Sequence, residues 1–397
     1  MMSQAQWQTV YTLTALLDEE EVDYSLIEEA ALLAQGVEIA EEAEVDVLIQ
    51  WDLFQEMHER LRAYGAGEIV RGKSWDRFAC TIDGVAVNVH CNYNTVVAAD
   101  PYRVAIEVDD KTLWAKSLHY YLRHLAHEDP RWHAVKSYLR TLQEQNAKLN
   151  EVAWNQEAYE AWLHRFGTPI EQAARISKNP EGRLVPFGSY LGDLDGKKAI
   201  NLLGSHGGKG VAMSLLGATV TVVDISHENA RYAMEVAEAA AVSMRYVVSD
   251  VLHLPDEELT GDYDLVLMEL GILHYFVDLE PLMTVVTQLL RTGGRFVLHD
   301  FHPISTKLIT SKGKKHKVVG NYFNQKIEET TVAFSKHLAA KKQETLKKTY
   351  QRKWTLAEVV TACAEAGLFL RVLSEEPNTK ADDRGLPKTF TLVAEKV

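Results

Sequence analysis

The 397-residue sequence predicts an α/β protein: a doubly wound, mostly parallel sheet in the C-terminal half and a separate α/β domain before it. Three observations carry that expectation. From Lys198 onward, short apolar runs alternate with amphipathic stretches, the pattern of buried parallel strands joined by helices on both faces. The length suits two domains at about 100–200 residues each. The last two β-rich runs, LFLRVLSEE and KTFTLVAEK, lie close together across a turn containing Asn378, Asp382, Asp383 and Gly385. They form a hairpin that adds an antiparallel strand.

The elements come in order. KAINLLG is an apolar run ending in glycine, hence a buried strand. GKGVAMSLLG is helical and closes at Gly217. TVTVVD is β-branched and ends in an acid, and SHENARYAMEVAEAAA is an amphipathic helix with Ser226 as its N-cap. RYVVSD and YDLVLME are strands. LEPLMTVVTQLLRTGG is a helix ending at its glycine pair, and RFVLHD is the next strand. A helix over Thr355–Ala366 precedes the terminal hairpin. Upstream, Trp154, Tyr159, Trp162 and Phe166 fall at i+3, i+4 and i+5 steps, which predicts one helix with an aromatic face, a pattern that usually marks core. The boundary is placed near 145–155, giving domains 1–150 and 151–397 with an insert at 303–353.

Composition excludes several classes. The chain is 46% apolar and 25% charged, as soluble proteins are. No run reaches the roughly 18–20 apolar residues a bilayer span needs. The N-terminus lacks a basic n-region, and Cys80, Cys91 and Cys363 have no CxxC spacing, so buried thiols and a cytoplasmic setting are expected, with no disulfide framework and no metal. The net charge of −14 argues against nonspecific nucleic-acid binding. Its distribution is uneven: 13 Lys/Arg against 25 Asp/Glu in residues 1–150, and 13 against 3 in residues 303–353.

In an open parallel sheet, ligands bind beyond the carboxyl ends of the strands, where strand order reverses. The first strand runs into Gly204-Ser205-His206-Gly207-Gly208, where small residues allow close backbone approach and a helix N-terminus comes next. The second strand ends in Asp224, an acid placed to accept ribose hydroxyls. The third ends in Ser249-Asp250-Val251, and the fourth in Glu269-Leu270-Gly271-Ile272-Leu273-His274-Tyr275. The alternative is that Asp224 and Asp250 only cap the helices or loops after them.

That ordered set resembles the class I S-adenosylmethionine-dependent methyltransferases, which share a Rossmann-like sheet and an antiparallel terminal strand. The resemblance covers about Lys197–Val397. It implies S-adenosylmethionine as cofactor and S-adenosylhomocysteine as product. Gly204, Ser205, His206 and Gly207 would form the loop around the methionine part. Asp224 would hold the ribose with Ile225 beside the adenine, Asp250 and Val251 would meet the adenine, and Glu269 and Leu270 would flank the sulfonium. The family's loop carries an acid before its first glycine and another glycine where His206 stands; here Asn201 is the nearest upstream polar residue.

Transfer from a sulfonium is an in-line displacement, in which alignment supplies most of the rate and a base is needed only for acceptors that lose a proton. His274, Tyr275, Asp300 and His302 are the candidate lining residues. His299 falls on the opposite strand face from Asp300 and reads as core, which argues against a shared metal ion. The fourth-strand block is not (Asp/Asn)-Pro-Pro-Tyr, which within the resemblance points to a small-molecule acceptor through O, N or C. The basic insert would be a substrate lid, its Tyr322, Phe323, Tyr350, Lys307, Lys312, Lys314, Lys315 and Lys317 suiting an anionic acceptor. Two other readings stay open: an RNA- or tRNA-modifying enzyme gripping its substrate with the insert, and a noncatalytic cofactor-binding regulator.

Residues 1–100 resemble the nucleotidyltransferase fold. DYSLIEEAALLAQGVEIAEEAEVDVLI has the shape of a helix, a turn and a strand with paired acids. Glu28-Glu29 stands in the glycine-pair place, Glu44 and Asp46 form the acid pair, and Asn88 stands where a third acid is expected. Two glutamates repel a triphosphate, so the resemblance implies a noncatalytic accessory domain. Shaping the acceptor site, forming a homodimer and binding a partner are all open roles.

Overall fold

A computed structural model describes residues 2–39, 44–312 and 315–397. The chain divides into two compact units, Met1–Thr141 and Leu142–Val397. In the first, seven strands form one mixed sheet: β1 (Tyr24–Ile27), β2 (Val45–Ile49), β3 (Val70–Arg71), β4 (Trp75–Ile82), β5 (Val85–Asn92), β6 (Arg103–Val108) and β7 (Lys111–Lys116), in the order β3-β4-β5-β2-β1-β7-β6. The segment read as helix, turn and strand is instead a strand, β1, then a short helix (Glu28–Ala34), then β2, which pairs antiparallel to β1. The apolar pattern Tyr24–Ile27 is too short for a helix and is completed by sheet pairing.

The second unit holds a seven-stranded sheet whose strands are β8 (Lys198–Leu202), β9 (Thr219–Asp224), β10 (Met244–Val248), β11 (Tyr263–Glu269), β12 (Leu290–Phe301), β17 (Leu368–Pro377) and β18 (Pro387–Lys396). Their order is β10-β9-β8-β11-β12-β18-β17. The first five run parallel, and β18 and β17 add antiparallel pairs at the β12 edge. Helices cover both faces, so β8, β9 and β11 are buried almost throughout. One core packs the helices Ala158–Phe166, Pro169–Lys178, Gly208–Leu215 and His227–Ala239 against one face. The other packs Glu280–Leu289 and Leu356–Glu365 against the opposite face. Strand order reverses between β8 and β11, and a crevice opens at their carboxyl ends.

Two elements differ from expectation. The aromatic helix is broken: one helix ends at Trp154 and the next begins at Ala158, with Glu157 left-handed between them. Asn155 has another task, since its Oδ1 accepts from the N–H groups of His227 and Glu228 (2.8 and 3.4 Å) at the start of another helix. The strand expected as RFVLHD begins earlier, at Leu290, because Tyr263 of β11 already pairs there. The insert contributes two hairpins, β13 (Ile309–Lys312) with β14 (Lys315–Val318) and β15 (Ile327–Thr331) with β16 (Lys348–Arg352). Among the described residues no helix is long and apolar enough to cross a membrane.

Candidate active site

A cavity of about 420 Å³ lies beyond the carboxyl ends of β8, β9, β10 and β11. Left-handed backbone shapes the two loops that border it. In the loop after β8, Leu203, Ser205 and Gly207 all have positive φ (50, 47 and 71°), and after β11 so do Leu270 and Gly271 (49 and 77°). Left-handed backbone costs a non-glycine residue about 1–2 kcal/mol, so the fold must hold these turns in place. It does so with Tyr246, whose hydroxyl donates to the Ser205 carbonyl at 2.6 Å, and with Asp300, whose carboxylate accepts from Gly271, Ile272 and Leu273 N–H. Gly204 allows close approach: a Cβ there would stand 2.6 Å from Val222 Cγ1 and 2.8 Å from Asn201 Oδ1.

Asp224 ends β9 and is 8% exposed. Its Oδ2 accepts from Ser205 N–H (3.0 Å); its Oδ1 accepts from Ser226 N–H and Asn229 Nδ2 (both 3.0 Å). Burial raises its pKa, and these hydrogen bonds oppose the rise. Asp250 caps the turn after β10, accepting from Leu252 N–H at 3.0 Å. Gly204, Ser205, His206, Asp224, Ile225, Asp250, Val251, Glu269 and Leu270 all line the cavity. Gly207 does not; it faces the helix His227–Ala239, where a Cβ would meet Ala233 Cβ at 2.5 Å. Asn201 lies within β8 and donates to the Leu267 carbonyl (3.2 Å), beneath the loop and not in it.

Two cations escaped the sequence reading. Arg183 lines the cavity, and among the described residues its buried Nε has no hydrogen-bond partner. Lys209 donates to the Arg183 carbonyl at 2.9 Å and stands 3.3 Å from Glu269 Oε2. Burial lowers both pKa values, and Glu269 opposes the fall. The GGKG run marked Lys209 only as a helix residue, and Arg183 sits in a short capped turn, Asn179–Arg183, that carried no chemical signal. His206 is pushed down to about 3, first by burial and then by the Arg183 charge. It accepts from Gly208 N–H through Nδ1 (3.3 Å) and packs on Trp162 and Phe166.

His274 and Tyr275 line the cavity. Burial, then the charge of Lys353, pushes His274 down to about 4, and its buried Nε2 has no partner among the described residues. The Tyr275 hydroxyl accepts from Trp154 Nε1 at 3.1 Å, and burial raises its pKa. The loop is pinned by Gln143, which donates to the Tyr275 carbonyl (3.1 Å) and accepts from Val277 N–H (2.9 Å). Asp300 and His302 do not line the cavity. Asp300 is spent on the β11 loop. His302 is buried, accepts from Ile304 N–H through Nδ1 (3.2 Å), and so donates through Nε2 to Glu375 (2.6 Å). His299 bonds Thr391 at 2.9 Å inside the sheet.

From the insert, only Ala333 and Lys336 reach this cavity among the described residues. Lys307, Lys315, Lys317, Tyr322, Phe323 and Tyr350 do not; Lys314 and the side chain of Lys312 lie outside the described residues. In the first unit, Asp46 and Asn88 stand in register on β2 and β5, with Glu44 just before β2. Asn88 donates to Glu44 at 2.6 Å and His90 lies 2.9 Å from Asp46. Glu28, at a φ of 50°, and Glu29 are paired with Arg131 at 2.6 and 3.4 Å. Among the described residues no group of three or more His, Cys, Asp or Glu is arranged to hold a metal ion.

Residues 203–298 match a family model described as a methyltransferase domain. No curated protein matches the chain. Among solved structures, an S-adenosylmethionine-dependent methyltransferase from Mesorhizobium loti is similar at 22% identity, covering 55% of this chain and 100% of that one, with a TM-score of 0.43. The magnesium protoporphyrin IX methyltransferase of Synechocystis PCC 6803 is similar at 14% identity, covering 64% and 100%, with a TM-score of 0.41.

Proposed function

We propose that this chain, whose C-terminal half is a class I S-adenosylmethionine-dependent methyltransferase domain, methylates an O, N or C atom of a small-molecule acceptor. The observation that carries the reading is one cavity beyond four parallel strand ends, lined by Asp224 and by Arg183, whose Nε has no partner among the described residues.

The residues suit the cofactor. Asp224 would accept the ribose hydroxyls, with Ile225, Asp250 and Val251 around the adenine. Gly204 lets the loop sit close against Val222 and Asn201, and Gly204, Ser205 and His206 all line the cavity. Arg183 would take the amino-acid carboxylate, a charge-assisted contact that restores its missing partner. Glu269 and Leu270 would flank the sulfonium. When bound, the cofactor supplies an electrophilic methyl group. The protein's task is then alignment and exclusion of water. His274, neutral at pH 7 and with its Nε2 unpartnered among the described residues, would be the group to accept a proton from a hydroxyl or amine acceptor. Tyr275 would hold the acceptor side of the cavity in shape. The insert, which brings Ala333 and Lys336 to the cavity, would act as the lid.

The first unit is read as a noncatalytic, nucleotidyltransferase-like accessory domain, because its acid pair is occupied by Asn88 and His90. The three buried free cysteines favour a reducing, cytoplasmic setting.

Calorimetry with S-adenosylhomocysteine tests the donor side. The wild type should bind, and Arg183→Met should bind about tenfold more weakly, as loss of a charged hydrogen bond implies. Absence of heat with folded wild-type protein would overturn the reading. Labelled S-adenosylmethionine with candidate acceptors then tests the transfer.

A further inference from the structure

We propose that the insert holds a second binding site, for a small oxyanion of the size of inorganic phosphate, in a cavity of about 230 Å³. It lies among residues 306–310, 319–328 and Lys353 and shares no lining residue with the larger cavity. Lys307 lines this cavity and is only 8% exposed. Its Nζ donates to the carbonyls of Asn324 and Lys353 (2.6 and 2.7 Å), and among the described residues it has no carboxylate partner. Two carbonyl dipoles use two of the three ammonium hydrogens, and among the described residues the carboxylates that act on the charge, Glu358 and Glu328, do so without a direct ion pair. Burying a charge without a counter-charge is costly, and burial accordingly lowers the Lys307 pKa to about 8.

Two more lysines, Lys326 and Lys353, are among the residues that line the same cavity, and the one acidic residue there, Glu328, is paired with Lys353 at 2.6 Å. Three cations against one anion leave a local charge of +2. Lysines act on phosphate as point charges that need no planar fork, and the volume admits a tetrahedral anion with several waters at about 30 Å³ each. A purely structural reading of Lys307, as a clip joining the start, middle and end of the insert through backbone carbonyls, explains its two bonds. It does not account for two further lysines, Lys326 and Lys353, lining the same cavity.

The test is titration of inorganic phosphate into the full chain at low ionic strength, monitored by calorimetry and by ³¹P resonance. The expected result is saturable binding of one phosphate per chain. Lys326→Ala, at an exposed position, should weaken it about tenfold, whereas Lys317→Ala on β14 should change it less than about twofold. Unchanged binding of S-adenosylhomocysteine by both variants shows that the fold and the donor site are intact. Lys307→Met should abolish phosphate binding, but it also removes the clip, so the decision rests on Lys326→Ala. The proposal is overturned by absence of saturable binding, by wild-type affinity in Lys326→Ala, or by equal weakening in Lys317→Ala.

Discussion

Asp224 and Asp46 are both carboxylates on sheet strands, each marked by the sequence as a ligand-binding candidate, yet they meet different surroundings. Asp224 stands at the carboxyl end of β9, one strand from the point between β8 and β11 where strand order reverses. Its partners are backbone N–H groups of the very loops that line a 420 Å³ cavity. Asp46 lies within β2, flanked by a neighbouring strand whose His90 and Asn88 take up it and Glu44. An acid becomes a binding site where the chain leaves space beside it and supplies donors that fix it without consuming it. A reversal of strand order creates that space, and an in-register neighbour removes it.

The contrast can be broken at several points. The largest effect should come from Gly207→Val. It forces a β-branched residue to positive φ and drives its Cβ toward Ala233. A loss of about 3 kcal/mol of stability, read by denaturant melting, is expected with the donor loop displaced. Next, Asp224→Ala should raise the dissociation constant for S-adenosylhomocysteine about a hundredfold, as loss of charged hydrogen bonds implies. Undiminished binding by that variant would remove Asp224 from the site.

A third expectation concerns pH. Burial holds His206, His274 and His299 at about 3, 4 and 4, whereas an unfolded chain protonates near the ordinary value of about 6.5. The unfolded state therefore binds more protons than the folded one below about pH 6.5. Stability falls as pH drops toward 4, by up to about 1.4 kcal/mol per pH unit for each histidine. The buried Asp224 and Asp300 carboxyls, raised in pKa, oppose this trend because the folded state takes up their protons more readily. His299→Gln should lower the slope by about one proton's worth in urea melts between pH 6.5 and 5. An unchanged slope would show that His299 titrates normally in the fold. The smallest effect belongs to Asp46→Asn. Donor affinity should stay the same and stability should change by less than about 1 kcal/mol, the usual worth of a partly exposed pair. A loss of donor affinity there would contradict the idea that Asp46 is a spent position.

The alternation from Lys198, the Ser226 cap and the acid after TVTVV were legible because each depends on a few adjacent residues: period, capping and β-branching act locally. They were enough to place Gly204, Ser205, Asp224, Asp250 and Glu269 around one crevice. The break at Asn155 was not legible, since its cause is a cap on a helix some seventy residues away. Nor was the pairing of His302 with Glu375, which requires β17 to fold back beside β12's far neighbour.

By itself, then, the order of residues determined the kind of sheet, its direction of winding and the chemical character of its strand ends, because those stem from short-range preference and hydrophobic period. Only the tertiary structure decided where groups face: that Arg183 joins the cavity, its Nε unmatched among the described residues, that Gly207 and His302 turn away from it, and that Lys307 is buried on two backbone carbonyls. Those outcomes depend on which distant segments compete for the same space and the same hydrogen bonds, and neighbours in sequence carry no record of that competition.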